Sequence, residues 1–410
     1  MSASFSNTLT LSDALKVSAP LNFNVIFKPL GPICNLNCSY CYYLDKINVI
    51  VGKTAISDEL LEYSIKSYIE SNDTESVTFN WHGGEPLLLG VGFLKKIVSI
   101  QNKYRKGKSI YNTLQTNGVL LNDEFAEFFS YYNFLIGVSI DGTKDVHDKY
   151  RKDVFSNPTF DRVLNGISLL QKHGVEFNTM TTINKANENK GLETYSFLKD
   201  IGSHYMQFMP VLEHINKKTN RITHPDDADS ILAPWSVDPL SYGKFMTDIF
   251  DHWIRYDVGS YFVNLFDSTL ANWCGVNPGT CSYSDVCGGN VVVEHNGDIY
   301  PCDHFVYPEY KLGNITEKSL KDIVMSYDMI KFGIDKRNAL PDKCLKCNYL
   351  FACHGECPKH RFSITESGEK GLNSLCDGFL HFYSHVEPYM NIMRDLLRNG
   401  QSPSEIMRMI

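Results

Sequence analysis

Apolar strand-like runs alternate with amphipathic helix-like runs through the first 210 residues. LNFNVIFKP is followed by SDELLEYSIKSYI, SVTFNWHGG by VGFLKKIVSIQNKY, SIYNTLQTNG by DEFAEFFSYY, and FLIGVSIDG by TFDRVLNGISLLQKHG. VEFNTMTTI, LETYSFLKDIG and SHYMQFMPVL complete the series. A βα repeat of this kind predicts about six parallel strands joined by right-handed helical crossovers in a barrel-like sheet. Loops leaving the C-terminal ends of such strands converge on one face, where ligand and catalytic groups gather. Four motifs fall there: Cys34 to Cys41 after the first strand, His82 to Pro86 after the second, Gln115 to Gly118 after the third, and Ser139 to Gly142 after the fourth.

The chain carries 12 cysteines, and their placement is uneven. The N-terminus MSASFSNTLTLSDALKV lacks the basic start and apolar run of an export signal. No stretch reaches the ~20 apolar residues that span a bilayer. A cytoplasmic, reducing setting is therefore expected, in which clustered cysteines serve metals or catalysis rather than disulfides. Three lie in CNLNCSYC as Cys34, Cys38 and Cys41, at C-x3-C-x2-C spacing. A [4Fe-4S] cluster normally takes four thiolates, so three leave one iron open to an outside ligand. The alternative, a zinc site with three cysteines and a histidine, finds no His in that loop.

The other nine cysteines lie between positions 274 and 376. CLKCNYLFACHGEC supplies Cys344, Cys347, Cys353 and Cys357; Cys281, Cys287 and Cys302 precede it and Cys376 follows. Eight thiolates suffice for two four-ligand clusters and leave one cysteine over. Spacing alone does not separate iron-sulfur from two zinc ribbons. Around this region VVVEHNGDIYPC predicts a hairpin turned by Asn296 and Gly297. The polar stretch 213–237 predicts a connector, with helices at 239–257 and near 262–272. A formal charge of −8, with no basic run, argues against nucleic acid as a partner.

C-x3-C-x2-C after the first strand of a βα barrel resembles the signature of the radical S-adenosylmethionine superfamily, and Tyr40 matches its aromatic position. The resemblance implies that the open iron binds the amino and carboxylate groups of S-adenosylmethionine and that cluster reduction releases a 5′-deoxyadenosyl radical. It places Gly84 of HGGEP against the cofactor's amino group, Ser139 and Arg151 at its ribose and carboxylate, and Leu212 near its adenine. The C-terminal pattern resembles the SPASM extension of peptide-modifying members. That likeness assigns Cys281, Cys287, Cys302 and Cys357 to one auxiliary cluster and Cys344, Cys347, Cys353 and Cys376 to the other. Cys274 is left as a small buried side chain.

Over nearly its full length the chain resembles the anaerobic sulfatase-maturating enzymes, through CNLNCSYCYY, WHGGEP, LQTNG, VSIDG, the PCD triplet, YKLGNI and the terminal cysteines. The fold implied is α/β: a partial (β/α)6 radical barrel over 21–237 after a lead-in at 1–20, a helical connector at 238–280, a cysteine-rich α+β SPASM domain over 281–378, and a C-terminal helix at 379–410. The cofactors implied are three [4Fe-4S] clusters and S-adenosylmethionine. The activity implied is oxidation of a Cys or Ser in a C/S-x-P-x-R segment of an unfolded or nascent sulfatase to Cα-formylglycine, with a flavodoxin or ferredoxin as electron donor. Asp303, the Asp of PCD, matches the catalytic base, which a buried setting would favour with a raised pKa. His82 and Tyr43 are candidates for the substrate peptide. His304 and His354 adjoin ligand cysteines and are expected to hydrogen-bond cluster sulfur. The nearest competing activity is thioether or carbon-carbon crosslinking of a peptide; the short lead-in, with no room for a recognition domain, argues against it. A zinc-bearing interaction protein is the remote alternative.

Overall fold

Strand-forming segments of the first half bury every second side chain, as Val77, Phe79 and Trp81 do in SVTFNW, so one face of each strand must be covered. In the computed structural model, which describes residues 21–50 and 55–410 and the single positions 10 and 52, helices provide that cover. The expected lead-in at 1–20 lies, but for position 10, outside the described residues. Strands β1 (Asn24–Lys28), β2 (Ser76–Trp81), β3 (Ser109–Thr116), β4 (Leu135–Ser139), β5 (Phe177–Ile183) and β6 (Tyr205–Pro210) run parallel in that order. This is the predicted six-stranded βα core. Between them lie α1 (Asp58–Ser71), α2 (Gly90–Tyr104), α3 (Asp123–Tyr131), α4 (Lys144–Tyr150), α5 (Phe160–Lys172) and α6 (Gly191–Asp200).

Local chemistry fixes the helix starts. Ser57 accepts from the Leu60 amide at 3.2 Å and Asn122 from the Phe125 amide at 2.9 Å, each satisfying an amide the first turn leaves free. Beneath the helices Phe27 and Phe79 stack on Trp81, with ring centroids 5.0 and 5.8 Å away.

The polar stretch 213–237 is a connector that closes on itself through the short antiparallel pair β7 (His214–Asn216) and β8 (Ser230–Leu232). Then come α7 (Pro239–Tyr256), β9 (Phe262–Val263), which pairs with β6, and α8 (Asn264–Cys274). Beyond these the expected hairpin forms, as β10 (Asn290–Glu294) and β11 (Asp298–Tyr300), followed by β12 (Gly313–Asn314).

The sheet does not stop at the boundary expected at 281. β10 pairs parallel with β1 in register from Asn24 opposite Asn290 to Lys28 opposite Glu294, giving the order β12-β11-β10-β1-β2-β3-β4-β5-β6-β9. The apolar run Val291–Val293 is buried throughout, the behaviour of an interior parallel strand. The cysteine-rich region thus begins as an extension of the barrel sheet.

A final helix, Cys376–Arg398, starts at a cysteine and crosses α7 at two glycines. A Cβ on Gly378 would lie 2.0 Å from the Pro239 carbonyl, and one on Gly243 2.5 Å from the Gly378 carbonyl. Among the described residues no helix is long and apolar enough to cross a membrane.

Candidate active site

The loops at the C-terminal ends of β1 to β4 pack on one another through their backbones. Gly84 sits so close to the cysteine loop that a Cβ there would lie 1.9 Å from the Ile33 carbonyl. The Gly84 amide donates to Gly31 O at 2.8 Å and the Glu85 amide to Ile33 O at 2.9 Å. Glycine is needed at 84 for this loop-on-loop contact, whatever else the backbone meets.

Glu85, fully buried, then ties the HGGEP loop to LQTNG. It accepts from Leu87 N at 3.0 Å, Thr116 Oγ1 at 2.8 Å and Asn117 N at 2.8 Å. Burial pushes its pKa up to about 7 against those bonds. Asn117 in turn reaches Asn35 of the cysteine loop at 2.8 Å.

Cys34, Cys38 and Cys41 lie within electrostatic range of one another, and burial raises all three thiols, Cys34 to about 11. Beside them Asp141, wholly buried, accepts from Tyr40 and pairs with Arg151 Nε at 3.0 Å. Ser139 ends β4 and accepts from Gln115 at 3.0 Å. Leu212, 3% exposed, packs in the main core.

A second centre forms where β1 meets β10. Lys28, the last residue of β1, has no exposed side-chain surface and ion-pairs with Asp303. It also bonds His82 Nδ1 at 3.0 Å and stands 4.2 Å from the centre of the Tyr43 ring. Tyr42 donates to the other carboxylate oxygen of Asp303. Burial alone would raise the Asp303 pKa, but Lys28, then His82 and His304, outweigh it and hold the carboxyl far below the usual range. The expectation of a raised pKa is not met, because the fold brings the buried Lys28 ammonium, distant in the chain, against this carboxylate. Burial, then Lys28, pushes His82 down to about 4.

Tyr42 follows Cys41 in the chain and Asp303 follows Cys302, so their hydrogen bond ties the N-terminal cysteine loop to the C-terminal cysteine region. Tyr43 is turned into the core, its hydroxyl donating to both oxygens of Glu294 at 2.9 and 2.8 Å. It supports the site from below, while His82 stays half-buried at the loop surface.

The later cysteines fall into two sets. Cys302 lies near Cys281 and Cys287, and Cys357 near Cys302 and Cys287. Cys344 lies near Cys376 and Cys347, and Cys353 near Cys376 and Cys344. Among the described residues no three His, Cys, Asp or Glu side chains close on a single ion. Two buried cations brace the loops. Lys336 donates to the carbonyls of Cys281, Ser282 and Ser284 at 2.5 to 2.8 Å.

Arg361 donates to the carbonyls of His354, Gly355 and Glu356 at 2.8 to 3.0 Å. Those three residues all carry positive φ, a costly run for two side-chain-bearing residues that the guanidinium holds in place. His304 Nδ1 stands 3.7 Å from the Cys357 sulfur. His354 instead faces Asp285 at 3.5 Å. Cys274 ends α8 and is partly exposed rather than buried as expected, with Arg398 and Arg394 as charged neighbours. Such grouped thiols, braced by cations that offset thiolate charge, fit iron-sulfur clusters.

Lys28, Tyr42, Glu85, Asp141, Glu294, Lys336 and Arg361 were missed from sequence. One signal stood there: Lys28 and Glu294 each follow a run of three apolar residues, at 25–27 and 291–293.

The radical SAM superfamily model matches residues 29–198, and the iron-sulfur cluster-binding domain model matches 281–348. The chain is 47% identical to a serine-type anaerobic sulfatase-maturating enzyme of Bacteroides thetaiotaomicron, over 94% of each chain. It is 32% identical to a cysteine-type enzyme of Clostridium novyi, over 88% of this chain and 94% of that one. Its fold matches the solved structure of native anSMEcpe with bound AdoMet and Cp18Cys peptide at a TM-score of 0.81. That match has 28% identity and covers 92% of this chain and 100% of the other.

Proposed function

The chain belongs to the anaerobic sulfatase-maturating enzymes of the radical S-adenosylmethionine superfamily, and we propose that its target is a serine, with Asp303 as the base. Its reaction is the oxidation of a Cys or Ser side chain of a sulfatase polypeptide to Cα-formylglycine. Serine is favoured by the 47% identity to the serine-type enzyme of Bacteroides thetaiotaomicron; a further serine-type relative and a cysteine-type one are alike at 32%. The observation that carries Asp303 is its buried contact with Lys28, which keeps it ionised, and with Tyr42, the residue after Cys41, while Asp303 itself follows Cys302.

Iron-sulfur clusters and S-adenosylmethionine are the cofactors, and three clusters is the number we propose. Cys34, Cys38 and Cys41 would hold the first; Cys281, Cys287, Cys302 and Cys357 the second; Cys344, Cys347, Cys353 and Cys376 the third. When bound, these groups supply a deoxyadenosyl radical that takes one Cβ hydrogen atom and an acceptor for the electron that remains. Everything else falls to side chains of this chain. Arg151, Ser139, Tyr40 and the Gly84 backbone would hold the cofactor, with Leu212 flanking its adenine. Asp303 takes the hydroxyl proton, so the serine loses one hydrogen from carbon and one from oxygen and becomes an aldehyde. For a cysteine the same loss gives a thioaldehyde, which water converts to the aldehyde with release of sulfide. A flavodoxin or ferredoxin would provide the electron, in the cytoplasm, before the sulfatase folds.

The test is anaerobic incubation of reduced enzyme and S-adenosylmethionine with matched Ser-x-Pro-x-Arg and Cys-x-Pro-x-Arg peptides, followed by mass spectrometry. The serine peptide should lose two hydrogens, and faster than the cysteine peptide reacts. Three clusters should give about twelve iron and twelve sulfide per chain; zinc without sulfide would sink this reading.

A further inference from the structure

Lys28 spends its whole ammonium inside the site. An ammonium has three donors, and here the Nζ meets Asp303 Oδ1, His82 Nδ1 at 3.0 Å and the face of the Tyr43 ring at 4.2 Å. The consequence at His82 concerns which ring nitrogen carries hydrogen. Nδ1 receives the Lys28 ammonium and also the Gly83 amide at 2.8 Å. A nitrogen accepting two N–H donors holds no hydrogen of its own, so the ring hydrogen is on Nε2. Among the described residues Nε2 has no hydrogen-bond partner, and His82 is half-buried at the end of β2 beside the Asp303 pair. At Asp303 the same ammonium pins Oδ1 while Tyr42 holds Oδ2. One cation therefore anchors both an acceptor, Asp303, and the ring of a donor, His82.

We propose that Lys28 is the positioning residue that makes this site select an alcohol: it aims Asp303 to accept the target hydroxyl's proton and holds His82 as an Nε2–H donor to the same oxygen. The inference rests on the proposed function and extends it to the origin of serine preference. An alcohol oxygen is a strong hydrogen-bond acceptor and stays one as it becomes a carbonyl, whereas sulfur accepts weakly. A site that satisfies both the proton and the oxygen of a hydroxyl discriminates against the residue that cannot use the donor, because the N–H, covered by the bound peptide, is then left unpaired.

The experiment measures kcat/KM, and the Kd of unreduced, cofactor-loaded enzyme, for serine and cysteine versions of one peptide. His82→Ala should lower both serine preferences about tenfold, a typical hydrogen-bond loss. Lys28→Met, which leaves the Gly83 amide on Nδ1 but removes the anchor of the ring and of the carboxylate, should lower the serine preference by a smaller factor and raise the ratio of 5′-deoxyadenosine to formylglycine several-fold on the serine peptide, because the base is no longer aimed. Should Lys28→Met fail to load its iron, Lys28→Gln carries the same test. Equal losses on the two peptides, or unchanged selectivity and coupling in the Lys28 variant, would overturn the proposal. No formylglycine from either peptide with unsubstituted enzyme would instead overturn the proposed function.

Discussion

Asp303 shows how a single carboxylate acquires a role from its neighbours. Exposed, it would be one loop Asp among many; here Lys28 keeps it ionised and Tyr42 keeps it oriented. Asp303→Asn should lower formylglycine formation by roughly 10²- to 10⁴-fold, the usual contribution of a positioned base. 5′-Deoxyadenosine should still form and iron content stay unchanged, as separate chromatographic and iron assays would report. Tyr42→Phe, which frees one carboxylate oxygen, should cost a smaller factor of about ten. Asp303 was legible in the sequence because it follows a ligand cysteine in PCD. Lys28 was not, since a lysine at a strand end ordinarily extends its amine to water. Its burial is imposed by β10, whose partner positions lie more than 260 residues downstream, as in Lys28 opposite Glu294.

The cysteine loops are held by contacts with backbone and buried cations as well as by their own residues. Gly84 fixes the first by letting Ile33 approach, and Gly84→Ala should displace that loop. The expected result is loss of about four of twelve iron atoms per chain, read by iron and sulfide analysis, with the auxiliary clusters retained. Lys336→Met removes the donor shared by the carbonyls of Cys281, Ser282 and Ser284 and should remove about four iron atoms of a different cluster. Periodicity revealed the six parallel strands and the 290–300 hairpin because each signal lies within one short window. The pairing of β10 with β1 carries no local signal. Nor do the Lys336 and Arg361 braces, which depend on where α-helical and loop backbones meet.

The whole molecule has buried ionisable groups whose effects oppose one another as pH changes. Glu85, raised by burial to about 7, keeps its proton in the folded chain after the unfolded chain has lost it near 4.5. Between those values the folded state binds more protons, so this group's contribution to stability falls as pH rises. His82 and His147, lowered to about 4, act in the opposite sense up to about 6.5. The absolute stability curve is thus a sum, and the difference between chains isolates one group. The stability advantage of the parent over Glu85→Gln should shrink by something on the order of 3 kcal/mol from pH 4.5 to 7, measured by denaturant titration of the apo chain.

The insertion of β10 beside β1 also bears on how such a chain can be made. Until the ribosome has added about 260 further residues, which takes tens of seconds, β1 is the outermost strand of a growing sheet, with its peptide groups unpaired on one side. An apolar open edge of that kind recruits other strands. A fragment cut before Asn290 should therefore aggregate rather than persist as a free radical-generating half, so in this chain the two cysteine regions are expected to fold only together.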